Sequence, residues 1–137
     1  MAGGHGPDRG PDLGTDAPHL PNPAPIDAYG NGGFRFGGMS HRGSLLCFPD
    51  GIWAWPLTNF SELTEELLAP ALARADQLDF FIIGVGNDPV VLPAGLRERF
   101  RAVNLSVDPM TTGPAVRTYN ILLAENRRVG AGLIAVA

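Results

Sequence analysis

The chain has 137 residues, enough for one core of its own, and 45% of them are hydrophobic. A formal net charge of −4 excludes the nucleic-acid backbone as the main partner, because binding phosphates takes a basic face. All ten basic residues are arginine, which also excludes a Schiff-base lysine and a phosphate-loop lysine.

Residues 1–25 mix glycine, proline and aspartate with little apolar surface to bury, so folding could not offset their loss of chain entropy. A disordered tail is expected there, followed by a single globular domain over residues 26–137. His5 and His19 fall in that tail and are too isolated to predict a metal site. No stretch has the length and apolarity of a membrane span, and the N-terminus lacks an apolar signal core, which predicts a cytoplasmic protein.

From Ile26 the pattern becomes short extended segments, Ile26 to Tyr29 and Phe34 to Phe36, broken by glycine turns at 31–33 and 37–38. Two further strands, Ser44 to Phe48 and Gly51 to Trp55, are joined through Pro49-Asp50-Gly51, and Asp-Gly is a strong hairpin signal. Trp53 and Trp55 stand at i and i+2 and so share one face. Cys47, the single cysteine, sits in an apolar run and reads as a buried, inert thiol.

Asn59 or Ser61 can cap a first helix running to about Ala75, with Leu63, Leu67, Leu68, Ala71 and Leu72 at helical spacing. Phe80 to Val85 is a continuous apolar run, the pattern of a strand buried on both faces. A second helix is expected from Pro93, burying Leu96, Phe100 and Val103, followed by a strand over Val103 to Val107 in a parallel crossover. A third helix spans Thr112 to about Glu125, capped by Thr111 or Thr112 with Pro114 in its first turn. The glycines of Arg128 to Val136 predict a last strand on which a helix packs closely. The fold class is therefore α/β with α+β elements: a three-layer domain in which N-terminal antiparallel β-structure packs with a mixed central sheet flanked by about three helices.

Function is less legible. Gly84-x-Gly86 after a buried strand resembles the start of a dinucleotide fingerprint, but Pro89 occupies the third glycine position and the next helix begins several residues later. His41 is the only histidine beyond the tail and no Gly-x-Ser-x-Gly elbow is present, so no catalytic constellation, metal set or cofactor is predicted. The polar groups concentrate instead at 107–120, where a strand ends and a helix begins. Gly84, Gly86, Asp108, Thr112, Gly113, Arg117 and Asn120 are the candidate ligand-binding residues, because a helix N-terminus with a nearby arginine can hold a small anion. The alternative is structural: Arg117 pairs with Asp108 while Asn120 caps a neighbouring loop.

Met110-x-Thr112-Gly113-x-Ala115-x-Arg117-Thr118-Tyr119-Asn120, followed by Leu122-Leu123-Ala124-Glu125-x-Arg127-Arg128-Val129, resembles one family. Tyr29-Gly30-x-Gly32-Gly33-Phe34-Arg35, Pro49-Asp50-Gly51 with Trp55, and Gly84-x-Gly86 before Leu92-Pro93 support the match. It is the small family of bacterial and archaeal domains that also includes mitochondrial respiratory complex I assembly factor three. The resemblance covers about residues 26–137. It implies a three-layer fold, no established enzymatic activity, and an assembly or interaction role through an unidentified protein partner, the alternative being a small-molecule or anion-binding protein, or a cryptic enzyme, with its pocket at 107–120; a homo-oligomer is compatible with it. The chain departs from the family pattern at Val116, where a cysteine is expected, and at Pro114, where alanine is usual, which argues against thiol chemistry at that helix.

Overall fold

The computed structural model describes residues 18–137. Three short strands, β1 (Ile26–Gly30), β2 (Gly33–Phe36) and β3 (Met39–Arg42), form an antiparallel sheet in the order β1-β2-β3. The remaining strands, β4 (Ser44–Phe48), β5 (Gly51–Trp55), β6 (Phe80–Gly84), β7 (Ser106–Met110) and β8 (Val129–Leu133), form a mixed five-stranded sheet in the order β5-β4-β8-β6-β7. There β6 runs parallel to both β7 and β8, while β4 runs antiparallel to β5 and β8. Three helices complete the domain: α1 (Glu65–Ala73), α2 (Ala94–Ala102) and α3 (Thr112–Ala124). This is the three-layer mixed α/β arrangement expected from the sequence.

Alternation along the strands divides the core in two. One side, holding Leu46, Phe48, Trp55, Phe81, Ile83 and Phe100, lies under α1 and α2. The other, with Leu45, Cys47, Ile82, Ala115, Tyr119 and Leu133, is closed by α3 and by Ile26, Phe34 and Phe36 of the small sheet. Trp53 and Trp55 share the first side, as their spacing requires.

Several elements differ from the sequence reading, each for a local reason. Strand β3 was not expected, because Met39-Ser40-His41-Arg42 has no apolar alternation; its pairing with β2 through a two-glycine turn creates it. Asn59 caps a single 3-10 turn over Phe60–Glu62, and extended Leu63 then breaks the chain before α1. The cap of α1 is Thr64, whose hydroxyl accepts from the Leu67 N–H. Strand β7 starts at Ser106, and Val103 is the half-exposed C-cap of α2, not part of its buried stripe. Helix α3 does pack on β8 as expected, but on the face of Ala131 and Leu133, whereas the β8 glycines make room on the other face for rings and a leucine: a Cβ on Gly132 would come within 2.6 Å of the Trp55 ring, and one on Gly130 would press on Phe48, Leu78 and Phe81.

The expected tail over residues 1–25 falls mostly outside the described residues. Its last part, from residue 18, lies along the domain: Leu20 forms an antiparallel bridge with Ile52, the His19 ring packs on His41, and buried Ala24 accepts a hydrogen bond from Tyr119.

Cys47 and Tyr119 are fully buried together between the central sheet and α3. Burial pushes the Cys47 thiol up to about 12, the neighbouring Tyr119 hydroxyl offsetting part of the shift. Burial, and then the neighbouring Cys47, likewise raise the Tyr119 hydroxyl. The folded chain therefore keeps protons that the unfolded chain releases above about pH 9 for cysteine and about pH 10 for tyrosine. Stability should be insensitive to these groups below about pH 9 and then fall as pH rises, by about 1.4 kcal/mol per pH unit per proton retained. Urea unfolding between about pH 8 and 10 checks this. The Cys47→Ala variant should lose the slope that begins near pH 9, and an unchanged slope would show that the thiol is not the source.

Candidate functional site

The end of β6, the start of α3 and the chain after β8 meet at one point. Gly84 closes β6, and a side chain there would push against Ala115, Leu133 and the Thr112 backbone, so glycine lets the helix approach the sheet. Gly86 has φ +108°, a conformation that glycine adopts without strain. Thr112 knots these segments. Its N–H donates to the Gly86 carbonyl at 2.9 Å, its hydroxyl accepts from the Gly86 N–H at 3.0 Å, and the same hydroxyl donates to the Ile134 carbonyl at 2.8 Å. The Ile134 N–H in turn donates to the Gly84 carbonyl at 2.9 Å.

Among the predicted site residues, the structure thus brings together Gly84, Gly86, Thr112 and Gly113. It leaves three apart. Asp108 is exposed on β7 opposite Ile82, two residues short of the strand end. Arg117 is exposed on α3 and forms no ion pair with Asp108. Asn120 lies eight residues beyond Thr112, about 12 Å along the helix. There it holds β1: its Oδ1 accepts from the Ile26 N–H at 2.8 Å and its Nδ2 donates to the Ile26 carbonyl at 2.9 Å, as a neighbouring strand would. The Asp108–Arg117 half of the structural reading is therefore absent, whereas Asn120 does tie down a neighbouring segment. With no partner among the described residues, Arg117→Ala should change stability by less than about 0.5 kcal/mol, readable in a thermal melt; a loss of about 1–3 kcal/mol would mean that it makes a buried charge-assisted bond.

The helix N-terminus offers little to an anion. The Thr112 N–H is used by Gly86, Pro114 has no N–H, and the Ala115 N–H closes on Thr111. Gly113 remains, and the Tyr29 hydroxyl lies so close that a Cβ at Gly113 would sit 2.6 Å from it.

Two arginines without an ion-pair partner among the described residues lie elsewhere, on the outer face of the small sheet. A concavity of about 530 Å³ opens there, lined by Ala28, Gly30, Gly33, Arg35, Ser40 and Arg42 among others, with no carboxylate in its lining. The register sets Arg35 across from Ser40 and Gly33 across from Arg42, so all four share the face opposite buried Phe34 and Phe36. His41 is held below the usual histidine range, chiefly by burial and then by the nearby His19, so the face owes its charge at neutral pH to the two arginines. Sequence reasoning missed these residues. The available signal was Arg35 between two buried phenylalanines, which places it on the opposite face once the segment is taken as a strand.

Residues 26–134 match the family described as proteins of unknown function DUF498/DUF598. The chain belongs to that family. An uncharacterized protein from Rhodobacter capsulatus is 43% identical over 110 residues, covering 80% of this chain and 83% of its own length. NADH dehydrogenase [ubiquinone] 1 alpha subcomplex assembly factor 3 of Drosophila melanogaster is 30% identical over 112 residues, which are 80% of this chain and 57% of that protein. A crystal structure described as an outer membrane protein from Bartonella henselae superposes with a TM-score of 0.83 at 49% identity, covering 87% of this chain and all of the other. The resemblance carried by Arg117-Thr118-Tyr119-Asn120 and its surroundings is thus the right one. Two of those residues, Tyr119 and Asn120, hold the segment around Ala24 and Ile26 in place. Among the described residues no helix is long and apolar enough to cross a membrane.

Proposed function

We propose that this DUF498/DUF598 domain is a non-enzymatic interaction module that assists the assembly of a protein complex in the cytoplasm. The observation that carries this reading is the relationship to an assembly factor, 30% identical over 112 residues. The strand-to-helix turn at 107–120 supports it as well, because Thr112 and Asn120 spend their polar groups on the protein itself. In this reading Gly84, Gly86 and Thr112 serve the fold, and a small anion at the turn would find one N–H, that of Gly113.

The test is affinity purification of a tagged chain expressed from its own promoter, with cell fractionation alongside. The expected result is at least one protein recovered reproducibly and in constant ratio from the soluble fraction. Repeated recovery of the chain alone would overturn the assembly role, and recovery in the membrane or outside the cell would overturn the location.

A further inference from the structure

The small sheet has an edge whose hydrogen-bonding groups no strand uses among the described residues. In the β2–β3 hairpin the two loop residues Gly37 and Gly38 have φ +55° and +78°, the turn that makes Phe36 and Met39 a hydrogen-bonded pair. Bonding alternates from there, so Phe34 with His41 and Gly32 with Gly43 are the next bonded pairs, and the Gly43 N–H indeed donates to the Gly32 carbonyl at 2.7 Å. The backbone N–H and C=O of Ser40 and Arg42 therefore point away from β2. No strand pairs with them among the described residues.

The opposite edge is treated differently: Asn120 occupies both backbone groups of Ile26 on β1. Charge marks the open edge further. Arg35 and Arg42 are diagonal cross-strand neighbours, roughly 7 Å apart at Cβ, and like charges so placed are unfavourable unless something negative joins them. Neither arginine forms an ion pair among the described residues, and between them lie only Gly33 and Ser40, too small to obstruct an approaching chain.

We propose that the edge of β3 is the docking site for an extended acidic segment of a protein partner, which adds a fourth strand to the small sheet. The inference rests on the interaction-module reading above and names the partner's chemistry. A strand laid on β3 places alternate side chains over the outer face. Its residue opposite Arg42 meets that guanidinium directly, and its residue opposite Ser40 reaches across the small serine to Arg35. Both positions call for Asp or Glu. The intervening residues fall on the side of Met39 and His41, where exposed Met39 favours an apolar side chain. The recognised pattern is thus acidic-apolar-acidic-apolar. A second copy of β3 would set arginines against arginines, which disfavours self-pairing.

The test uses the full chain, 15N-labelled, titrated with a blocked hexapeptide of alternating glutamate and valine. Saturable shifts and slowed exchange are expected at the Ser40 and Arg42 amides. Affinity should fall about tenfold when glutamine replaces glutamate, and similarly for the Arg35→Glu/Arg42→Glu variant, whose exposed positions leave the fold intact. No saturable response at β3, or an equal response to a lysine-valine peptide, overturns the proposal. So does dimerisation of the charge-reversed variant when wild type fails to bind the peptide, since the arginines then guard the edge against self-association. Partner recovery from cells separates the two levels. If wild type and variant recover the same protein equally, this surface is wrong and the assembly reading stands; if wild type recovers none, the assembly reading itself falls.

Discussion

Arg74→Ala is expected to lower the free energy of unfolding by about 3–5 kcal/mol, the loss that follows when one partner of a buried ion pair is removed. Arg74 is 1% exposed. Its Nε and Nη2 donate to the two oxygens of Asp50, both at 3.1 Å, and Nη1 donates to the Pro70 carbonyl at 3.0 Å. The guanidinium lies 4.4 Å from the Phe48 ring centre and 5.1 Å from that of Trp53. It therefore joins the C-cap of α1 to the β4–β5 turn, and truncation removes the charge-assisted bonds together with the packing between two rings. Lysine cannot replace the fork and should restore little, while Arg74→Met should recover part of the packing loss. The comparison is Arg99→Ala, which breaks an exposed pair with Glu65 and should stay within about 1 kcal/mol. Urea unfolding of the three Arg74 variants beside Arg99→Ala decides the matter: if Arg74→Ala were as mild as Arg99→Ala, the buried pair would not be holding α1 to the hairpin.

Arg74 also marks where sequence reasoning stops. An arginine at the end of an amphipathic helix reads as solvated, and only the tertiary approach of Asp50, already used to predict the hairpin turn, puts it in the core. The hairpin itself was legible because Asp50-Gly51 carries a backbone signal independent of context. Phe80 to Val85 was legible because an apolar run between an acidic turn and glycines has few other uses. Strand β3 was not, since its four residues gain their structure from hydrogen bonding to β2 and bury little. The candidate site was half legible for a geometric reason. Adjacency in sequence gathered five polar or small residues, but a helix separates residues along its axis and around it, so Thr112 turns into the core, Arg117 into solvent and Asn120 toward β1. The glycines at 84 and 86 were correctly placed at the same edge as Thr112, because a parallel crossover brings the carboxyl ends of β6 and β7 together.

That shared edge gives the second large effect. Thr112→Val keeps the shape of the side chain and its β-branch but removes a hydroxyl that accepts from Gly86 and donates to Ile134. Each partner left unsatisfied away from water costs about 1–3 kcal/mol, so an overall loss of about 2–4 kcal/mol is expected. Thr112→Ser keeps the hydroxyl, gives up one buried methyl, and should lose about 1 kcal/mol. The pattern across the two variants separates the structural role from a ligand-binding one. A knot that closes the sheet edge predicts a large loss for valine, a small loss for serine, and faster amide exchange at Gly86 in the valine variant, because its acceptor is gone. A threonine kept for a ligand predicts near-normal stability in both. Thermal and urea unfolding with exchange at Gly86 therefore tests why polar groups crowd this turn. If Thr112→Val is nearly silent, the hydroxyl is available to something other than the protein, and the small-anion reading of 107–120 regains its footing.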